Sequence, residues 1–124
     1  MMAERLLIVE DEDTLCESLQ RVLSRDGYEV EIAGSAEAAL ALLERKTFDL
    51  IISDIILPGL SGIELLKKYR ARVPGQKVII MTAYASMEVA VESIKAGACD
   101  FMVKPLMHDE LKRAVRKALE KESG

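Results

Sequence analysis

The sequence has little of several residue types that mark particular classes of protein. Its 124 residues include two cysteines, one histidine, His108, and no tryptophan. Cys16 and Cys99 lie far apart and form no C-x-x-C pair, so a disulfide framework or a thiolate metal site is not expected. We expect two reduced, partly buried thiols and an exposed His108 that serves neither as a metal ligand nor as a phosphodonor.

Long apolar runs and an excess of positive charge are also absent. The N-terminal apolar run, Leu6 to Val9, is far shorter than a signal-peptide core or a membrane span. We therefore expect a cytoplasmic protein that does not contact a membrane. With 21 acidic and 17 basic residues the formal charge is −4, so we expect no contact between this domain and nucleic acid.

Apolar runs of strand length alternate with amphipathic stretches of helix length, and the alternation repeats five times. The pattern predicts strands over 6–9, 28–32, 49–53, 78–81 and 101–103. It predicts helices over 13–26, 62–72, 86–96 and 108–120, and one more that Ser35 caps. The first, third and fourth strands are nearly all aliphatic, which is typical of parallel strands covered by helices on both faces.

These patterns predict a doubly wound α/β fold and a single domain over residues 1–124. Residues 119–124 are either a natural end or the start of a linker to a missing output domain. In the helix over 86–96, the stripe of Met87, Ala90, Val91 and Ile94 is expected to face the core. Val89 lies off that stripe and is expected on the exposed side.

Reactive side chains follow the ends of four predicted strands. They are Glu10 and Asp11, Asp54, Thr82, and Lys104. Because the carboxyl ends of parallel strands meet at one edge of a sheet, we expect these residues on one rim. Clustered carboxylates require a compensating cation, and all-oxygen ligands suit Mg²⁺. A carboxylate that lies beside Mg²⁺, with a lysine and a hydroxyl nearby, has the groups that phosphoryl transfer needs. A hydrolase would also need a strong base to activate water, and none is evident in the sequence.

Several segments, in this order, resemble the receiver domains of bacterial two-component response regulators. They are Val9-Glu10-Asp11, the run from Ser53-Asp54 to Pro58-Gly59, Gly62, Met81-Thr82-Ala83, Gly97-Ala98, and the run from Phe101 to Lys104-Pro105. The resemblance covers nearly the whole chain and implies a flavodoxin-like, five-stranded parallel sheet of order 2-1-3-4-5. Residues 82–86 and 97–101 look most like the nitrogen-regulator group, whose receivers precede an ATPase domain and a DNA-binding domain in transcriptional activators.

The resemblance also implies a role for each residue of the rim. Asp54 would accept a phosphoryl group from a sensor histidine kinase, and Lys104 would pair with that group. Mg²⁺ would be held by Glu10, Asp11, Asp54 and the backbone carbonyl of Ile56. Many relatives carry aspartate where this chain has Glu10, whose longer side chain would reach the metal through water more easily than directly.

The resemblance implies that phosphorylation changes the conformation of the domain. Thr82 and Phe101 resemble the family's switch pair, and the fourth helix and fifth strand would rearrange on phosphorylation. The resemblance implies a regulatory domain, not an enzyme, although one that assists its own phosphorylation and dephosphorylation. It further implies an output domain that controls transcription, and it leaves open a homodimer that forms on phosphorylation.

Three other functions are compatible with parts of the pattern. Residues 11–15 faintly resemble the signature of haloacid-dehalogenase phosphohydrolases, but its usual glycine is missing and no cap domain fits in this length. A flavodoxin-like electron carrier would need a phosphate-cradling loop after the first strand, and this one is acidic. A receiver fold without phosphorylation is disfavoured because all the expected site residues are present.

Overall fold

A computed structural model describes residues 3–120 of the chain, as five β-strands that alternate with five α-helices. The strands are β1 (Arg5–Val9), β2 (Glu29–Ala33), β3 (Leu50–Asp54), β4 (Val78–Thr82) and β5 (Asp100–Val103). The helices are α1 (Asp13–Arg25), α2 (Ala36–Leu43), α3 (Gly62–Arg72), α4 (Met87–Lys95) and α5 (His108–Leu119). The predicted boundaries are therefore correct to within one or two residues.

All four strand pairings are parallel, and the strand order is β2-β1-β3-β4-β5. The predicted fold class and strand order are confirmed. Side chains of the central strands alternate between two cores, as the pleat of a strand requires. Leu7, Ile51 and Ile80 face a core shared with α2 and α3, whereas Leu6 and Ile52 face one shared with α1 and α5.

Serine side chains cap the N-termini of three helices, α2, α3 and α4. Ser35 accepts a hydrogen bond from the Ala38 N–H and caps α2 as predicted. Ser61 and Glu64 form a reciprocal capping box at the start of α3. Such caps satisfy backbone donors that the first helical turn leaves unpaired, and each contributes about 1 kcal/mol. They determine where each helix starts beside the carboxyl edge of the sheet.

The predicted core face of α4 is wrong for three of its four residues, since only Ala90 is half-buried. Met87, Val91 and Ile94 are exposed, by 80%, 43% and 55% respectively. Val89 is half-buried, and Ser93 is fully buried with its hydroxyl donating to the Val89 carbonyl at 2.8 Å. The inward face of α4 is therefore lined by smaller side chains, and its most apolar face is turned to solvent.

Other predictions concern single residues and the termini. Cys16 is buried and Cys99 is exposed, and both thiols are free. The prediction of two partly buried thiols is thus wrong for Cys99. His108 is exposed at the first turn of α5, as predicted. Residue 119 still belongs to α5, and 121–124 lie outside the described residues. Across residues 3–120, no helix is long and apolar enough to cross a membrane.

Candidate functional site

The ends of β1, β3, β4 and β5 border one cleft at the carboxyl edge of the sheet. Its volume is about 330 Å³, and it is lined by Glu10, Asp11, Glu12, Asp54, Ile56, Ala83, Tyr84 and Lys104. The predicted acids and lysine are thus brought together from positions up to 94 residues apart. Parallel strands that meet at one edge explain why residues so distant in sequence share this cleft.

Lys104 bridges two carboxylates at the floor of the cleft. Its Nζ atom lies 2.5 Å from Asp54 Oδ2 and 2.6 Å from Glu10 Oε1. Glu10 and Asp54 are 2% and 6% exposed, so both carboxylates have lost most of their hydration. Buried carboxylates are costly without a partner, and the single ammonium group is the shared cationic partner of both.

Backbone N–H groups hold the other oxygens of these two carboxylates. The Ile56 N–H donates to Asp54 Oδ1 at 3.1 Å, and the Glu12 N–H donates to Glu10 Oε2 at 3.0 Å. Asp11 differs from both because its side chain is exposed at the mouth of the cleft. The acids therefore divide into two buried, tethered carboxylates and one open to solvent.

The pKa values of Glu10 and Lys104 reflect both their burial and their hydrogen bonds. Burial raises the pKa of Glu10 above its ordinary value, although hydrogen bonds from Lys104 and the Glu12 N–H partly oppose the rise. Burial alone would lower the pKa of Lys104, but hydrogen bonds to Asp54 and Glu10 outweigh it, so the pKa is raised. Lys104 therefore stays an ammonium ion at neutral pH.

A divalent cation would have oxygen ligands available here. The cleft holds the carboxylates of Glu10, Asp11 and Asp54 against the one ammonium of Lys104, and such an excess of negative charge fits a hard cation. Within the described residues, no three acids, histidines or cysteines already converge as a metal-binding group. Lys104 lies between two of the predicted ligands, so the donor set fits Mg²⁺ in chemistry but is not assembled around a single point.

The two residues predicted to form a switch lie beside the cleft. Thr82 is 1% exposed, and its Oγ1 accepts a hydrogen bond from the Tyr84 N–H at 3.0 Å. Its carbonyl accepts one from the Lys104 N–H at 2.8 Å, which ties β4 to the cleft lysine. Phe101 lies on β5, half-buried against the core that α2 and α3 share.

Sequence reasoning missed Tyr84 and Glu12 as cleft residues. Tyr84 lines the cleft with a side chain that is 72% exposed, and Glu12 supplies the N–H that holds Glu10. Both follow a predicted site residue by two positions. Loop residues of this kind could have been found from the rule that crevices in parallel sheets are walled by the loops after the strands.

A match to a known protein family shows what kind of domain carries this cleft. Residues 6–116 match the family model described as the response regulator receiver domain. The chain belongs to this family. The resemblance stated from the sequence is thereby confirmed for this receiver domain, and the family is a regulatory rather than a catalytic one.

Relatives of this receiver domain include a transcription regulator. The transcriptional regulatory protein ZraR of Salmonella typhimurium strain LT2 is 42% identical over 114 residues, which cover 92% of this chain and 26% of that protein. The chain thus spans about a quarter of the length of this curated relative.

Solved structures of receiver domains have the same fold as this chain. A receiver domain protein (CheY-like) from Methanospirillum hungatei JF-1 superposes with a TM-score of 0.91 at 40% identity, covering 95% of this chain and 94% of that one. The beryllofluoride-activated NtrC4 receiver domain dimer superposes with a TM-score of 0.89 at 28% identity, covering 93% and 95%. The second likeness agrees with the predicted nitrogen-regulator group.

Proposed function

We propose that this receiver domain accepts a phosphoryl group on Asp54 from a sensor histidine kinase and thereby controls an output domain that regulates transcription. The observation that carries the proposal is the contact between Asp54 Oδ2 and Lys104 Nζ, 2.5 Å apart in an acidic cleft. It provides a nucleophile and a fixed cation in one place. The similarity to the transcriptional regulatory protein ZraR supports the proposal that the output domain regulates transcription.

The chemistry is a displacement at phosphorus. A carboxylate oxygen of Asp54 forms the new P–O bond as the P–N bond of the kinase phosphohistidine breaks. The products are an acyl phosphate and an imidazole, whose nitrogen keeps the bonding electron pair. Little covalent chemistry is asked of the protein, so positioning and charge stabilisation supply most of the catalysis. In this limited sense the domain assists its own phosphorylation. Dephosphorylation would follow when water attacks the phosphorus of the acyl phosphate, which releases inorganic phosphate and restores the Asp54 carboxylate.

Receiver domains generally bind Mg²⁺ at their acidic pocket. In this chain we assign the metal ligands to Asp11, Asp54, the Ile56 carbonyl and, through water, Glu10. The bound cation would neutralise charge on the transferred group. Asp11 is suited to first contact because its carboxylate is exposed at the mouth of the cleft, whereas Glu10 is buried and tethered.

Lys104 and Thr82 are proposed to read the phosphorylated state. Lys104 already contacts Asp54 and can donate to a phosphoryl oxygen on the same carboxylate. Thr82 Oγ1 now accepts from the Tyr84 N–H, so turning its hydroxyl to a phosphoryl oxygen would alter the loop that leads into α4. Phosphate shifts the equilibrium between two states only through such differential contacts. Phe101, half-buried on β5, would move inward as the loop rearranges.

A second copy of the chain is the proposed partner of α4. The exposed residues Met87, Val91 and Ile94 form one apolar face on this helix, and monomers rarely leave such faces uncovered without a function. The related NtrC4 receiver is a dimer in its activated state. We therefore infer that phosphorylation promotes a homodimer through this face.

The rival functions predict different stoichiometry. The protein would be incubated with acetyl phosphate and Mg²⁺ while the intact mass and the released phosphate are both followed. One phosphoryl group per chain, with phosphate released no faster than the adduct decays, is expected. In a parallel incubation with a generic phosphate ester in place of acetyl phosphate, many turnovers would support a phosphohydrolase instead. No adduct from either acetyl phosphate or a phosphorylated kinase would indicate a receiver fold that is not phosphorylated.

A further inference from the structure

Ser53 is a buried polar residue that the proposed chemistry does not use. It follows three apolar residues of β3 and is 0% exposed. Its hydroxyl donates to the backbone carbonyl of the next residue, Asp54, at 2.9 Å. A hydroxyl in an apolar core is costly unless it is hydrogen-bonded. Its one bond here is made to the residue that is the proposed phosphoacceptor.

The start of α3 packs against the same carbonyl. The Gly62 N–H donates to the Ile55 carbonyl at 2.8 Å. A Cβ atom at position 62 would overlap the Asp54 carbonyl oxygen and lie 2.9 Å from Ser53 Oγ. Gly62 is thus in close contact with both groups, and the capping box of Ser61 and Glu64 keeps the helix start in place.

Three separate donors therefore hold the oxygens of Asp54. Lys104 Nζ holds Oδ2, the Ile56 N–H holds Oδ1, and the Ser53 hydroxyl holds the backbone carbonyl. The first two will have to yield or share their acceptor when a phosphoryl group arrives. Ser53 does not contact the carboxylate, so its bond can persist in every state of the reaction.

We propose that Ser53 is a positioning residue for phosphorylation: it holds the Asp54 carbonyl against Gly62, and this orients the carboxylate for in-line attack. The inference rests on the proposed function of Asp54. An attacking atom misplaced by about 1 Å can cost about 100-fold in rate. Loss of one of three tethers, with the sheet and α3 still in place, is expected to lower the phosphorylation rate about tenfold.

The test compares two serine-to-alanine variants. Ser53→Ala removes the proposed tether. Ser93→Ala is the matched control, because Ser93 is also 0% exposed and its hydroxyl also donates to a backbone carbonyl, that of Val89 at 2.8 Å. Thermal unfolding and the rate of adduct formation at saturating acetyl phosphate and Mg²⁺ would be measured for both, well below their melting temperatures.

A purely structural role for Ser53 would lower the melting temperature of both variants and leave both phosphorylation rates at the wild-type value. The proposal expects the rate of Ser53→Ala alone to fall about tenfold. Equal rates in the two variants would overturn it. If Ser53→Ala does not fold, Ser53→Cys and Ser93→Cys replace the pair, and the same comparison decides. A wild-type protein that forms no adduct on Asp54 would instead remove the proposed function and this inference together.

Discussion

The ammonium group of Lys104 lies 2.5 Å from the Asp54 carboxylate, and this ion pair joins the ends of β3 and β5. Lys104 also reaches Glu10 after β1, so one side chain ties three strand ends together. The side chain of Lys104 is only 16% exposed, which strengthens its electrostatic interactions relative to a surface pair. The same ion therefore has a structural role and a proposed catalytic one.

Lys104→Met is expected to reduce both the stability and the phosphorylation rate. It leaves two largely buried carboxylates without their cation, which is expected to lower the free energy of unfolding by about 3 kcal/mol. Phosphorylation from acetyl phosphate is expected to slow at least tenfold, roughly the value of one charge-assisted hydrogen bond. Urea unfolding and intact mass would measure the two effects.

The matched control is Lys67→Met, which changes an exposed lysine on α3. It is expected to leave both quantities near the wild-type values. Equal behaviour of the two variants would contradict the structural and the catalytic role of Lys104 alike.

Gly62→Ala is expected to destabilise the domain although alanine favours helices more than glycine does. The added methyl group would overlap the Asp54 carbonyl oxygen, so α3 or the turn after β3 must move, at a cost of about 1–3 kcal/mol. Gly75→Ala is the control, since a Cβ there meets nothing within 4 Å. Chemical denaturation would compare them, and a Gly62→Ala protein as stable as Gly75→Ala would refute the close contact.

The periodicity of apolar residues predicted most of this fold but gave the wrong orientation for α4. The rule works for α1, where Leu19, Val22 and Leu23 are all buried. It fails for α4, whose apolar stripe of Met87, Val91 and Ile94 is exposed, because an exposed stripe and a buried one have the same spacing. In α4 the fully buried inward position is held by Ser93, a polar residue that adds nothing to the apolar periodicity.

The site was predictable in outline and not in its contacts. Glu10, Asp54 and Lys104 could be found because each lies at or just after the end of an apolar strand, and these ends must meet at the edge of the sheet. That Lys104 bridges the two carboxylates depends on side-chain conformations that no spacing rule reports. The Ser53–Gly62 contact was likewise hidden, since it arises from the close approach of a helix and a turn.

Val91→Glu is expected to prevent self-association while leaving the fold intact. Val91 is 43% exposed on the apolar face of α4, so the free energy of unfolding should change by no more than about 0.5 kcal/mol. A glutamate there would place buried negative charge in the proposed homodimer. Sedimentation in beryllofluoride and Mg²⁺ would compare it with Val73→Glu, an exposed valine after α3. Unchanged association in Val91→Glu would exclude this face.

The buried thiol of Cys16 is expected to make the domain less stable in alkali. Burial raises the pKa of Cys16 from 9.0 to about 11. Below pH 9 the thiol is neutral in both states, whereas above it the unfolded thiol ionises first and folding loses free energy. From pH 8 to pH 10 the loss is about 1 kcal/mol. Urea unfolding at both pH values should show this loss relative to Cys16→Ala, and an identical pH dependence would contradict it.

The most direct test of the central claim is the intact mass of three proteins after incubation with acetyl phosphate, each with Mg²⁺ or with a chelator. They are the wild type, Asp54→Asn and Asp26→Asn, which changes an exposed acid at the end of α1. The account predicts one Mg²⁺-dependent phosphoryl group on the wild type and on Asp26→Asn, and none on Asp54→Asn. An adduct that survives in Asp54→Asn would contradict the assignment of Asp54 as the phosphoacceptor.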